Sequence, residues 1–293
     1  MSPSHIALAV AVMLVWGCSF VVAKLAITDM PPMLFMGIRY VMTGVLLLPF
    51  MLRERSRLGQ VFGISVTLGF LHFACGFTGL LGVDASISVM LMQAQVPFAA
   101  LLAVIFFKER IGVWRGIGML VAFIGIFLLA GEPRTASAPL SAGLIVVAAF
   151  LWAVGAIQVK RLGKIDPFAL NGWIALFAAP QMLAASFFLE TGHRAALEEI
   201  GWAVWFGFAY LIVAVTIFGY GVWYWLLQSY EVNRALPLTL LTPVFGFLAG
   251  VVLLDESAEI DRLVGALIVL AGVGAITLYR AANRAIRIES LNS

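Results

Sequence analysis

The chain has 293 residues, 63% of them hydrophobic and 11% charged, with a mean hydropathy of +1.06. A soluble domain carries charge on roughly a quarter of its residues, so this composition excludes one and leaves an integral membrane protein. The net charge of +3, from 18 basic and 15 acidic residues, sits in short breaks between apolar runs, and no nucleic-acid partner is expected.

A transmembrane helix needs about 20 consecutive apolar residues. The chain offers ten such runs, at about 6–26, 32–52, 60–82, 85–107, 113–131, 140–159, 168–189, 202–228, 235–254 and 263–279. The expected fold is therefore an all-α integral membrane protein of ten transmembrane helices, with the lipid bilayer as its solvent. No base precedes the first run and no small-residue cleavage site follows it, so it reads as a retained helix.

The first span carries Trp16 near its middle and Lys24 at its far end. The second holds Arg39, about 10 Å inside if each residue rises 1.5 Å. An arginine within a span costs about 2.5–3.5 kcal/mol on insertion scales, so it needs a partner. That partner is either a substrate carboxylate or, by snorkelling or pairing, the outer interface, Asp29 or Asp84. The third span places His72 mid-helix, where it could relay a proton or simply be a satisfied neutral imidazole.

The fourth span contains Gln93, Gln95 and Pro97. Residues two apart do not share a helix face, so Gln93 is expected in a cavity and Gln95 in a helix contact. Pro97 frees the carbonyl of Gln93 and kinks the helix, as Pro243 does for Thr239 in the ninth span, beside Thr242. The sixth span has Trp152 and ends at Lys160. The eighth has Tyr220, Trp223, Tyr224 and Trp225. Trp16 and Trp152 lie away from the interface where belt tryptophans belong, so they are candidates, with Tyr220 and Tyr224, for the walls of an aromatic cavity able to hold an ammonium. Lys24 and Lys160 are expected to snorkel. Small residues in the fifth and tenth spans, among them Gly118, Ala122, Gly265 and Ala275, have close-packing spacing for the bundle's periphery or a second copy, which leaves the protein a monomer or a homodimer. Cys18 and Cys75 fall inside spans and imply neither disulfide nor metal, and no cofactor is expected.

Five spans precede the Gly131-Glu132-Pro133 loop and five follow, dividing the chain into repeats at 1–134 and 135–293. Five is odd, so the second repeat crosses in the opposite sense. Trp16 and Lys24 match Trp152 and Lys160, and the Pro97 segment matches the Pro243 segment. Repeated, proline-broken spans in inverted halves point to a binding site for a small-molecule substrate and to alternating access. Loops on the N-terminal side hold 13 Lys and Arg residues against 4 on the other, so both termini are expected in the cytoplasm.

Trp16-Gly17, Arg39, Gln95-Val96-Pro97-Phe98 leading to Lys108-Glu109-Arg110-Ile111, and Thr242-Pro243-Val244-Phe245 leading to Asp255-Glu256 resemble the EamA branch of the drug/metabolite transporter superfamily. The likeness covers nearly the whole chain. It departs where Ala153 follows Trp152 and where the first proline segment is one residue shorter. The resemblance implies a ten-helix secondary transporter of bacterial inner membranes, exporting amino acids or related metabolites. The alternative is a proton-coupled drug or nucleobase exporter. No Asp or Glu lies deep in a span, which favours facilitated movement, since ion-driven carriers keep an intramembrane carboxylate. Neither H-E-x-x-H nor G-x-S-x-G occurs, so an enzyme is not expected.

Overall fold

The computed structural model describes residues 2–53, 55, 57–108, 112–130, 138–229 and 236–292. Among them there is no strand. The helices are α1 (Pro3–Asp29), α2 (Pro32–Met51), α3 (Leu58–Leu81), α4 (85–107), α5 (Val113–Ala130), α6 (Ala138–Leu162), α7 (Pro167–Leu189), α8 (202–229), α9 (236–253) and α10 (Ile260–Asn292). Seven of them, α1–α4 and α6–α8, are long and apolar enough to cross a membrane, and α5 and α9 hold the shorter apolar stretches Gly116–Leu129 and Leu238–Leu253. Two features lie outside the expected runs. A short helix, His193–Glu198, follows α7, and α10 continues past residue 279 to Asn292, where Ala281, Ala282 and Ala285 favour helix and no Gly or Pro intervenes. The expected loops at 109–111, 131–137 and 230–235, with Glu109, Arg110, Arg134 and Arg234, lie outside the described residues.

Proline at the first helical position, where its missing N–H costs nothing, opens α1, α2 and α7. Two helices change pitch midway. In α3 residues Ser65–Leu71 are π-helical, and in α8 residues Tyr210–Tyr220 are. Two others tighten. α4 has a 3-10 turn at Met92–Ala94 and α9 one at Leu236–Leu240. Pro97 and Pro243 each sit in the first turn of the α-helix that restarts afterwards, a place where no intrahelical N–H bond is lost. The same two helices are followed by left-handed residues, Lys108 and Asp255.

α2 packs along α7, and α5 along α10; α1 lies against α8 and α9, and α6 against α3 and α4. The close approaches rest on small residues. A Cβ on Gly17 would stand 2.6 Å from Thr242 O on α9, and one on Gly125 would stand 2.7 Å from the Val269 N on α10. The small residues of α5 and α10 thus meet each other within one chain.

Charged residues bind helix ends. Lys24, rather than snorkelling, donates from Nζ to Leu80 O, to Leu81 O at 3.2 Å and to Val83 O at 2.8 Å. A cation there satisfies the last carbonyls of α3 and faces the negative end of its dipole. Glu256 accepts from the N–H groups of Ala85 (2.6 Å) and Ser86 (2.8 Å) at the start of α4, and Glu190 from those of Met33 (2.8 Å) and Leu34 (3.1 Å) at the start of α2. Asp84 pairs with Arg262 at 2.6 Å. These contacts put one set of helix ends, the Lys24 face, together. At the other face Arg57 donates to Leu162 O, joining the start of α3 to the end of α6.

Gly272, whose added Cβ would strike the backbone of Ala122, tests the seam between α5 and α10. Gly272→Val should cost about 1–3 kcal/mol through overpacking, read as a lower melting temperature in detergent. Gly63→Ala, at a position with no neighbour within 4 Å, should melt with the parent.

Candidate functional site

A cavity of about 390 Å³ opens in the middle of the bundle, lined from α1, α2, α3, α4, α6, α8, α9 and α10. Seven candidates named from the sequence, Trp16, Arg39, His72, Gln93, Trp152, Tyr220 and Thr242, lie on its walls. The Tyr224 side chain lies outside the described residues.

Arg39 is 7% exposed and neither snorkels nor pairs with Asp29 or Asp84. One terminal nitrogen donates to Leu211 O and Thr216 Oγ1, both at 3.3 Å, and the other reaches Met36 Sδ at 3.6 Å. Its Nε has no hydrogen-bond partner. The guanidinium stands 5.7 Å from the Phe73 ring and 5.9 Å from the Tyr40 ring. Among the described residues it makes no ion pair. The π-helical stretch of α8 explains how it is held. That wider winding turns Leu211 O toward α2, where it also accepts from Thr216 Oγ1 at 2.9 Å.

Aromatic rings enclose much of the remaining wall. Trp16 lies 5.4 Å from Tyr220 and 5.8 Å from Trp223, centre to centre, and its Nε1 donates to Val215 O at 3.4 Å. His72 packs 5.1 Å from Trp152 and 4.6 Å from Phe73, and its Nδ1–H donates to Ala148 O at 2.8 Å. The carbonyl can only accept, so Nδ1 carries a proton and Nε2 is the nitrogen left for another partner. Thr242 Oγ1 contacts Met13 Sδ at 3.1 Å.

Gln93 lines the cavity as expected, its amide N–H reaching Val89 O at 3.5 Å one turn back. Gln95 lines it too, contrary to the expected division of labour. The 3-10 turn at Met92–Ala94 turns each residue by about 120° rather than 100°, which brings positions two apart nearer one face. Ser19, Phe73 and Phe77 also line the cavity and were not singled out. Ser19 stands three residues after Trp16 on one helix face, a signal that could have found it. Phe73 and Phe77 lie in a segment apolar all round, where nothing in the pattern separates wall from lipid.

The arrangement offers one buried cation with an unused N–H, two amides and a ring of aromatic faces in a space for a small molecule. Such a site can bind a carboxylate at Arg39 and hold apolar or cationic groups against the rings.

The EamA-like transporter family model matches residues 3–131 and again 140–278. The chain is 33% identical over 275 residues to a protein of Salmonella typhimurium (strain LT2) called "Probable amino-acid metabolite efflux pump", spanning 91% of this chain and 92% of that one. It is 31% identical, with the same coverage, to the protein of that name from Escherichia coli (strain K12). The "Uncharacterized transporter YoaV" of Bacillus subtilis (strain 168) is 26% identical over 278 residues, 90% of this chain and 93% of that one. A crystal structure at 16% identity superposes with a TM-score of 0.66 over 95% of this chain and 98% of the other, a likeness of fold. By the two matches of the family model and the identity to these relatives, the chain is a multi-pass membrane protein that belongs to the EamA-like transporter family.

Proposed function

We propose that the protein exports amino acids or closely related small metabolites across a bacterial inner membrane, moving them through the central cavity by alternating access without a coupling ion. The observation that carries this reading is Arg39, a charge buried in the cavity wall with no acidic partner among the described residues and an Nε left unpaired. A carboxylate-bearing substrate supplies the missing partner, and the aromatic faces of Trp16, Trp152 and Tyr220 take its side chain. The volume favours a metabolite. At about 390 Å³ it lies near the lower end of the roughly 300–1,000 Å³ usual for ligand pockets, which suits an amino acid better than a bulky drug. The two relatives named as amino-acid metabolite efflux pumps support the same class.

Ten spans in two inverted repeats are part of the proposal. The family model matches twice, and the helix contacts keep their pattern when the first five helices are exchanged for the last five: α2 with α7, α5 with α10, α1 with α8 and α9, α6 with α3 and α4. The π-helical stretches fall in the third helix of each half, and the 3-10 turn, proline and left-handed stop in the fourth. Two such halves can exchange conformations, which moves the opening from one face to the other. The Lys and Arg bias makes the Arg57 face cytoplasmic. A proton-coupled exporter is the second reading, favoured by the placement of His72 on the cavity wall.

Purified protein in liposomes should exchange labelled neutral and aromatic amino acids saturably and without response to an imposed pH gradient. Flux that requires the gradient would pass the answer to the second reading. Arg39→Lys keeps the charge but loses the planar fork, and should lower exchange by about tenfold or more, the worth of roughly 1.4 kcal/mol, with folded yield unchanged; wild-type exchange in that variant would remove Arg39 from the site. Trp16→Ala should weaken exchange in the same assay. A reporter fused after Ser293 should be active only in the cytoplasm, and activity outside would reverse the topology.

A further inference from the structure

Beside the central cavity lies a second hollow of about 270 Å³, bounded by α2, α3, α6, α7 and α8. The two share Arg39, Phe73, Trp152 and Tyr220, so these four side chains stand between them. They run to opposite ends of the bundle. The central cavity reaches Leu80 and Ser88, within a turn of the helix ends that Lys24 and Glu256 hold. The second reaches Val159 and Leu170, within a turn of the end of α6 and the start of α7, on the face where Arg57 meets Leu162.

We infer that this second hollow is a substrate subsite in its own right, which takes the apolar side chain of a neutral amino acid whose carboxylate rests on Arg39. The inference rests on the carrier reading above and adds the step before the central cavity. Among the described residues Arg39 is the one Lys or Arg on either wall and belongs to both, so one guanidinium can keep hold of a carboxylate while the rest of the molecule changes sides. Its Nε, buried without a partner, is the group that such a carboxylate would satisfy. The second hollow has the matching chemistry. Leu68, Val159 and Ile174 give it apolar sides. Asn171, on the same wall, spends an amide N–H on Pro167 O at 2.8 Å, which leaves its amide oxygen as an acceptor for an ammonium. Thr43 turns its hydroxyl back to Arg39 O at 2.8 Å and so holds the α2 backbone there rather than competing for ligand. The passage between the two hollows is then a swing about Arg39, with the rings of Phe73, Trp152 and Tyr220 moving aside.

Ala156, exposed and on the wall of the second hollow alone, is the position to fill. Full-length Ala156→Trp should bind labelled leucine and phenylalanine in detergent within about threefold of the parent, while exchange in proteoliposomes falls by about tenfold or more. Normal exchange in this variant would overturn the subsite, and loss of binding along with exchange would overturn its separateness from the central cavity. As an independent reading, Ala156→Cys, with Cys18 and Cys75 replaced by Ala, should react with a membrane-impermeant maleimide added at the Arg57 face, and leucine should slow the reaction. Labelling indifferent to leucine in an exchange-competent variant would overturn the proposal. A wild-type protein that neither binds nor exchanges any amino acid would sink the carrier reading itself, an outcome distinct from a wild type that exchanges and an Ala156→Trp variant that does so equally well.

Discussion

Two neighbouring residues of α2 hold the centre of the molecule. Arg39 donates to Leu211 O in the π-helical stretch of α8, and Tyr40 donates to Gly69 O, at 2.8 Å, in the π-helical stretch of α3. A π-helical turn directs carbonyls differently from an α-turn and recurs at functional sites. Here both irregular stretches offer an oxygen to α2, one in each half of the chain. Each oxygen takes a donor from α2, so the adjacent pair ties α3 and α8 to one helix beside the cavity. The walls follow from that. His72 begins the α-helical turn after the first π stretch, and Tyr220 ends the second.

Three further charges bind the ends of helices. Glu256 and Glu190 accept backbone N–H groups at the starts of α4 and α2, and Lys24 donates to carbonyls at the end of α3. Each of these charges joins a helix of one half to a neighbour across the bundle, or α1 to α3. Arg39 is the exception. Its insertion cost of about 2.5–3.5 kcal/mol is met, among the described residues, by neutral acceptors and ring faces. Under the proposed function the substrate's carboxylate supplies the negative charge, and a resident carboxylate would compete with it.

Where the reading from sequence and the structure part company, the reason is a local change in pitch or a long-range partner. Gln93 and Gln95 were divided between cavity and helix contact on the assumption of a regular α-helix, and the 3-10 turn before Pro97 brings both to the cavity. Lys24 was expected to reach for water, but the end of α3 and the link after it, more than fifty residues away in the chain, supply three carbonyls. Arg39 was given acidic partners near it in sequence or across the outer end, yet Asp84 is taken by Arg262.

From its sequence alone this chain is a membrane protein, since so apolar a composition allows no other solvent. The order and length of the apolar runs locate the helices to within a few residues, the last one excepted, and the residues that are expensive in lipid, Arg39, His72, Gln93 and the mid-span tryptophans, mark themselves as candidates by their cost. Which of them meet was decided only in three dimensions. Lipid tails are as apolar as a packed leucine, so the helix periodicity that reveals a core in water is silent here: Phe73 on the cavity wall and Phe188 on the outside of α7 look alike in the chain. The π and 3-10 stretches, and the second hollow that shares Arg39 with the first, likewise arise from how the helices settle against one another, because the backbone's choice of partner depends on neighbours the linear sequence does not name.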